Sequence, residues 1–280
     1  MSGLLGAAEI REIAARIGVH PTKKLGQNFV VDANTCRRIV KSAEVTSEDI
    51  ALEIGPGIGS LTLALLEIAA EVVVIEIDPR LAQELPNTVG RHEFPLSQLT
   101  VINADALEVY ELPILPTVLV ANLPYNVSVP VLLNYLERFP SLRSGVVMVQ
   151  SEVADRLVAS PNSKSYGSPT VKAQWWADLS PAGSVARSVF WPIPNVDSSL
   201  VRFVRHDVPA CESLRIKTFQ LIDAAFAQRR KMLRGALSEI FGGSAQASAV
   251  LEKAGVDPTL RGEALMLADF LKIAVTAYQE

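Results

Sequence analysis

Four consecutive residues, Asn122-Leu123-Pro124-Tyr125, follow directly on the apolar run Val118-Leu119-Val120-Ala121. Asparagine and proline both favour turns, so the plain reading is a strand-to-loop turn. The chemical reading concerns an exocyclic amine. The lone pair of an adenine N6 is delocalised into the ring, which makes that nitrogen a poor nucleophile. Acceptors aimed at its hydrogens draw it toward a tetrahedral geometry, and the Asn122 side-chain oxygen and the Leu123 carbonyl are the natural pair. Pro124 fixes the backbone between them, and Tyr125 offers a face on which a base can stack. The same dipoles stabilise the positive charge that develops on nitrogen. Neither a metal nor a strong base is required. Reaching such a loop obliges the base to be extruded or single-stranded.

A second constellation precedes it. Glu53-Ile54-Gly55-Pro56-Gly57-Ile58-Gly59 lies between a strand-like and a helix-like segment, where glycines let a ligand approach the backbone. The glycines fall as GxGxG, and Ser60 stands where a dinucleotide fingerprint needs its last glycine. That spacing disfavours a pyrophosphate ligand. Glu76 ends the next strand 21 positions after Gly55, where a carboxylate accepts both hydroxyls of a ribose. Asp105, in Asn103-Ala104-Asp105-Ala106, is placed to accept from an adenine amino group. Each acid alone reads as an ordinary turn residue. With the glycine loop they stand at the ends of three successive strands and outline a nucleoside pocket.

The elements that must carry these residues form an alternating series. Ile50–Ile54, Val72–Ile77, Leu99–Asn103, Thr117–Ala121 and Gly145–Gln150 are short apolar runs, separated by helical spacing over Ser60–Ala69, Arg80–Leu85 and Val131–Phe139. Runs apolar on both faces predict a parallel sheet covered by helices, an α/β fold of Rossmann-like type. Val171–Leu179 and Ser199–Arg205 are expected to add an antiparallel pair at one edge. In that reading one residue of the Trp175-Trp176 pair faces inward. From His206 onward only helical periodicity remains, over Leu214–Leu237, Ala247–Ala254 and Gly262–Tyr278. Residues 1–206 are therefore expected to form the ligand-binding domain and 207–280 a small all-helical one.

Composition narrows the class further. The 280 residues carry a net charge of −4, but residues 51–140 alone hold −8, so both flanks are weakly basic. A nucleic-acid face is thus not excluded by the acidic balance. Gln228-Arg229-Arg230-Lys231 with Arg234 forms a basic cluster on a predicted helix, Arg230 and Arg234 one turn apart. On composition alone it reads equally as a solvated face or a binding face. Cys36 and Cys211 lack CxxC spacing, which argues against a disulfide framework and against zinc. The N-terminal segment carries Glu9, Arg11 and Glu12 within its apolar pattern and predicts an amphipathic helix, not a signal peptide. No run reaches the ~20 apolar residues of a membrane span, so the expected location is the cytoplasm.

Six segments in order resemble the ribosomal RNA adenine dimethyltransferase family, in the form that acts on the bacterial small subunit (16S rRNA). They are Leu25-Gly26-Gln27-Asn28-Phe29, the Glu53–Gly59 loop, Glu76, Asp105-Ala106, Asn122–Tyr125 and Phe190-Trp191-Pro192-Ile193-Pro194-Asn195-Val196-Asp197-Ser198. A seventh, Ala225–Lys231, lies in the helical region. The resemblance implies a class I methyltransferase fold with S-adenosyl-L-methionine as cofactor. It implies that Gln27, Asn28 and Val30 close over the methionine end, and that Glu53, Gly55, Gly57, Glu76, Ile77, Asp105, Ala106 and Asn122 line the rest. Phe190 would stack on the base opposite Tyr125, and Arg229, Arg230, Lys231 and Arg234 would meet RNA. Lys23, Lys24, Arg37, Arg38 and Lys41 are secondary candidates, and the loop 160–169 would help hold substrate. The implied reaction places four methyl groups on two adjacent adenosines near the 3′ end of small-subunit rRNA in an assembling 30S subunit. A monomer without metal or membrane attachment suffices.

Three neighbouring readings compete. The large-subunit methyltransferase of macrolide resistance shares the glycine loop and the Asn-x-Pro-Tyr type of motif, but the Phe190–Ser198 and Ala225–Lys231 segments favour the small-subunit form. A non-catalytic assembly factor would have no use for both Asn122 and Tyr125. A DNA adenine methyltransferase would present two prolines where Leu123-Pro124 stands.

Overall fold

The computed structural model describes residues 3–20 and 28–278. Gln27, Lys23 and Lys24 lie outside the described residues. In chain order the elements are α1 (Ala7–Arg16), β1 (Phe29–Val30), α2 (Ala33–Ser42), β2 (Ile50–Ile54), α3 (Ser60–Leu66), β3 (Glu71–Glu76), α4 (Pro79–Arg91), β4 (Leu99–Asn103), β5 (Val118–Asn122), α5 (Ser128–Arg138), β6 (Ser144–Gln150), α6 (Ser151–Leu157), α7 (Ser168–Ala173), β7 (Ala177–Val185), β8 (Phe190–Trp191), β9 (Ser198–Arg205), α8 (Glu212–Ala227), α9 (Leu233–Ala236), α10 (Ser238–Phe241), α11 (Ser244–Lys253) and α12 (Leu267–Tyr278). They pack as two units, residues 1–154 with 179–205, and residues 155–178 with 206–280.

The first unit is built on a seven-stranded sheet of order β4-β3-β2-β5-β6-β9-β7. Strands β4 through β6 run parallel, and β9 joins β6 antiparallel. The unbroken apolar runs are the cause. Val72, Val73, Val74 and Ile75 are each at most 1% exposed, which only a strand covered on both faces can achieve. The order reverses direction at β2, where β3 leaves on one side and β5 on the other, and this is where open α/β sheets bind ligands. Side-chain caps start the flanking helices. Asp32 accepts from Thr35 N–H at 2.8 Å, and Asp78 accepts from Arg80 N–H at 3.0 Å with Pro79 in the first turn of α4.

A buried carboxylate stitches the opposite end of the sheet. Asp49, fully buried, accepts from Thr46 N–H and Oγ1, both at 2.9 Å, from Thr117 Oγ1, and from Arg143 Nη2 at 2.9 Å. It thereby joins the starts of β2, β5 and β6. Burial alone would raise its pKa, but these donors outweigh it and hold the carboxyl at about 2. Asp49→Ala leaves Arg143 and both hydroxyls without their acceptor, and is expected to cost about 3 kcal/mol in denaturant unfolding at neutral pH. Because the folded value lies below the unfolded one, this contribution is full above the ordinary carboxylate pKa. It is lost as pH falls through about 2, so variant and parent are expected to converge in acid.

The Val171–Leu179 expectation is corrected. Residues 168–173 form α7, started by Ser168-Pro169, and β7 begins only at Ala177. Trp175 and Trp176 sit in the turn between them, where strand alternation does not apply, and both are buried, at 1% and 4% exposure. Phe219 of α8 meets both edge-on, with ring centroids 5.8 and 5.5 Å away. The segment 155–178 thus packs in the helical unit, whose core includes Val171, Leu221, Ile222, Leu251, Phe270 and Ile273.

The helix expected over Leu214–Leu237 also breaks. α8 ends at Ala227, and beyond the turn Leu233 N–H donates to Leu260 O at 2.7 Å and Arg234 N–H to Pro258 O at 3.2 Å. Among the described residues no helix is long and apolar enough to cross a membrane, and no group of three or more His, Cys, Asp or Glu could hold a metal ion.

Candidate active site

A cavity of about 240 Å³ opens at the carboxyl ends of β2, β3, β4 and β5. Its lining brings together Asn28, Val30, Glu53, Gly55, Gly57, Glu76, Ile77, Asp105, Ala106, Asn122 and Pro124, residues that span nearly a hundred positions of sequence.

The glycine loop is tight for a reason visible at Gly57. Its φ of +59° is the left-handed region, and a Cβ built there would lie 2.8 Å from the Phe29 ring. Its N–H donates to Glu76 Oε2 at 3.0 Å, and Asp78 N–H donates to Oε1 at 2.9 Å. Glu76 is 5% exposed, and its pKa is raised, chiefly by burial and further by nearby Asp78, against the two backbone donors. A carboxylate has about four acceptor sites, so each oxygen keeps capacity for one more donor. A vicinal diol has two.

Glu53 lies deeper, at 1% exposure, with Thr62 Oγ1 donating to Oε2 at 2.6 Å. Burial, and to a lesser degree Glu76, pushes its pKa up to about 8 despite the Thr62 bond. Asp105 is exposed and caps the short turn Ala106–Glu108, one oxygen accepting Leu107 N–H at 2.9 Å. Among the described residues of the lining there is no lysine or arginine, while Glu53, Glu76 and Asp105 supply three carboxyl groups.

Asn122 is the last residue of β5, half-buried at the cavity edge. Its Nδ2 donates to the Asn28 carbonyl at 3.2 Å, which leaves Oδ1 as the end of the amide that can accept. Leu123 points its side chain into the core, 1% exposed, and its N–H donates to Met148 O at 3.1 Å. Val127 N–H closes a turn onto Pro124 O at 3.1 Å.

Tyr125 and Phe190 do not line the cavity. Tyr125 is half-buried with its hydroxyl 2.8 Å from Ser198 Oγ. Phe190 is 2% exposed, in β8, registered against Val30 of β1 and part of the apolar core. Leu81, Asn126, Val127 and Val131 also line the cavity, and no motif in the sequence marks them. Val127 and Val131 are one helical turn apart at the start of α5, a signal lost in a generally apolar helix.

The basic cluster lies in the helical unit but not on one continuous helix, with Arg234 alone in α9. Residues 228–230 are a turn, so Arg230 and Arg234 do not share a helical face. Arg229 is half-buried and committed, its Nε 2.8 Å from Glu263 Oε2 and its Nη2 donating to Ser163 O at 3.1 Å. Arg230, Lys231 and Arg234 are exposed. The loop 160–169 is tied down there as well. Asn162 N–H donates to Glu263 O, and buried Tyr166 donates its hydroxyl proton to Leu265 O, both at 2.8 Å.

A mostly parallel sheet with a glycine-lined cavity at its switch point and an antiparallel β9 beside β6 has the architecture of a class I methyltransferase. The profile of the family described as ribosomal RNA adenine dimethylase matches residues 20–277. A protein of Leifsonia xyli subsp. xyli named ribosomal RNA small subunit methyltransferase A is 59% identical, covering 97% of this chain and 98% of its own. A protein of the same name from Kineococcus radiotolerans is 58% identical, over 98% of this chain and 92% of its own. A crystal structure of a dimethyladenosine transferase from Plasmodium falciparum matches with a TM-score of 0.74 at 25% identity, covering 86% of this chain and 94% of that one. The chain belongs to the ribosomal RNA adenine dimethylase family, and it is an rRNA adenine N6-dimethyltransferase.

Proposed function

We propose that the chain binds S-adenosyl-L-methionine in the β2–β5 cavity and methylates N6 of two adjacent adenosines near the 3′ end of small-subunit rRNA. The substrate is an assembling 30S subunit in the cytoplasm, and the enzyme acts as a monomer without metal. The observation that carries this reading is the Asn122 amide, turned by the Asn28 carbonyl so that Oδ1 remains to accept at the cavity edge.

When bound, S-adenosyl-L-methionine supplies an electrophilic methyl group. The chain's own residues do the rest. Glu76 takes the ribose hydroxyls and Asp105 the adenine amino group, while Asn28 and Val30 cover the methionine end. Asn122 Oδ1 and the Leu123 carbonyl accept from the target N6 and stabilise the charge that grows there. Tyr125 supports the base by stacking. Partnering by Phe190 requires β8 to shift, because the ring is now buried.

The sheet unit carries the chemistry, and the helical unit holds RNA through Arg230, Lys231 and Arg234. Neutralising those three is expected to lower the slope of log affinity against log salt by about 0.7–0.9 for each phosphate that is no longer neutralised. Arg229→Ala is expected to act differently. It breaks the Glu263 pair and destabilises the helical unit, while changing the salt slope little.

The substrate assignment is tested by giving unmodified small and large subunits together, with methyl-labelled S-adenosyl-L-methionine. Label confined to small-subunit rRNA is expected. Label in large-subunit rRNA would move the reading to the resistance-type activity.

A further inference from the structure

The Asn122–Tyr125 loop is fastened at three points. Asn122 bonds the Asn28 carbonyl, Leu123 N–H bonds Met148 O on β6, and the Tyr125 hydroxyl bonds Ser198 Oγ at 2.8 Å. The third is the only one of these that fixes the orientation of an aromatic ring. Ser198 opens β9, fully buried and registered opposite Gln150 of β6. Its surroundings are stiff. Ser151 N–H donates to Asp197 O at 2.9 Å, and the Ser151 and Ser199 hydroxyls meet at 2.8 Å.

A buried strand position ordinarily favours an apolar residue, and a buried hydroxyl is costly unless it is bonded. At Ser198 that partner is Tyr125. A tyrosine ring tethered at its hydroxyl can spin about its own axis, but it cannot swing about χ1 without breaking the bond. The place where a base can meet the ring is fixed accordingly.

We propose that Ser198 is a positioning residue for methyl transfer, its buried hydroxyl holding the Tyr125 ring where the target base must meet it. This rests on the reading that Tyr125 stacks on that base. Ser198 does not line the cofactor cavity, so it acts through Tyr125 alone.

The test uses the full-length enzyme with unmodified small subunits and compares Ser198→Ala, Tyr125→Phe and the double variant. Each single change is expected to lower kcat roughly five- to tenfold, the factor one neutral hydrogen bond contributes. Affinity for S-adenosyl-L-methionine, measured by calorimetry, is expected to stay at the parent value. The double variant is expected to be no slower than either single one, since both remove the same bond. Wild-type kcat in either single variant, or losses that multiply in the double, would overturn the proposal. If Ser198→Ala fails to fold, Tyr125→Phe decides alone, because it deletes the bond and keeps the ring. Tyr125→Ala separates this inference from the reading beneath it. Full turnover there removes the stacking role itself, whereas an inactive Tyr125→Ala beside a fully active Ser198→Ala removes only the role of Ser198.

Discussion

Asn122→Ala is expected to reduce methyl transfer by at least about a hundredfold, the scale on which one preorganised dipole at a developing charge acts. Affinity for S-adenosyl-L-methionine is expected to change little by comparison. The side chain of Asn122 offers two groups, and they have different jobs. Nδ2 is engaged by the Asn28 carbonyl, while Oδ1 is the acceptor proposed to meet the incoming amine. Asn122→Asp is the sharper variant. It keeps an acceptor but loses the donor, and a carboxylate facing the Asn28 carbonyl would be repelled from the productive position. Both variants are expected to fall in kcat, with cofactor binding by calorimetry as the control. Turnover at the parent rate in Asn122→Ala would show that the N6 hydrogens are not met by this amide.

Glu76→Ala is expected to weaken S-adenosyl-L-methionine binding by about two orders of magnitude, since charge-assisted hydrogen bonds each contribute roughly 1.5–3 kcal/mol. Part of that loss comes from the loop. Gly57 and Asp78 both donate to this carboxylate, so its removal also loosens the backbone that faces the ligand. Glu76→Gln separates the two effects, because the amide retains one acceptor. A pH dependence follows from the burial-raised pKa. The ionised form accepts both hydroxyls, so affinity is expected to fall as pH is lowered through the Glu76 value. An affinity that is flat with pH and unchanged in Glu76→Ala would place the ribose elsewhere.

Much of the site was legible in the sequence because open parallel sheets put ligand residues at strand ends. Once Ile50–Ile54, Val72–Ile77, Leu99–Asn103 and Thr117–Ala121 read as buried strands, Gly55, Glu76, Asp105 and Asn122 had to converge at one edge, and they line one cavity. What failed depended on partners distant in sequence. The turn at 228–230 is closed by Lys231 N–H on Gln228 O, Leu233 and Arg234 then bond carbonyls of the segment 258–260, and nothing in the local pattern of α8 announces it. Trp175 and Trp176 looked like strand residues by type, yet Ser168-Pro169 starts a helix just before them. Val127 and Val131 hid within an apolar helix, since the faces that meet core and cavity have the same composition. The Tyr125–Ser198 bond links residues 73 apart and has no periodic signature at all.

The most direct measurement is nucleoside analysis of small-subunit rRNA after reaction of unmodified subunits with the enzyme and S-adenosyl-L-methionine. The expected result is N6,N6-dimethyladenosine at two adjacent positions near the 3′ end, four methyl groups per subunit, absent when Asn122→Ala replaces the parent. Methylation at another atom, or dimethyladenosine formed equally by the variant, would contradict the assignment of this cavity and its asparagine to N6 chemistry.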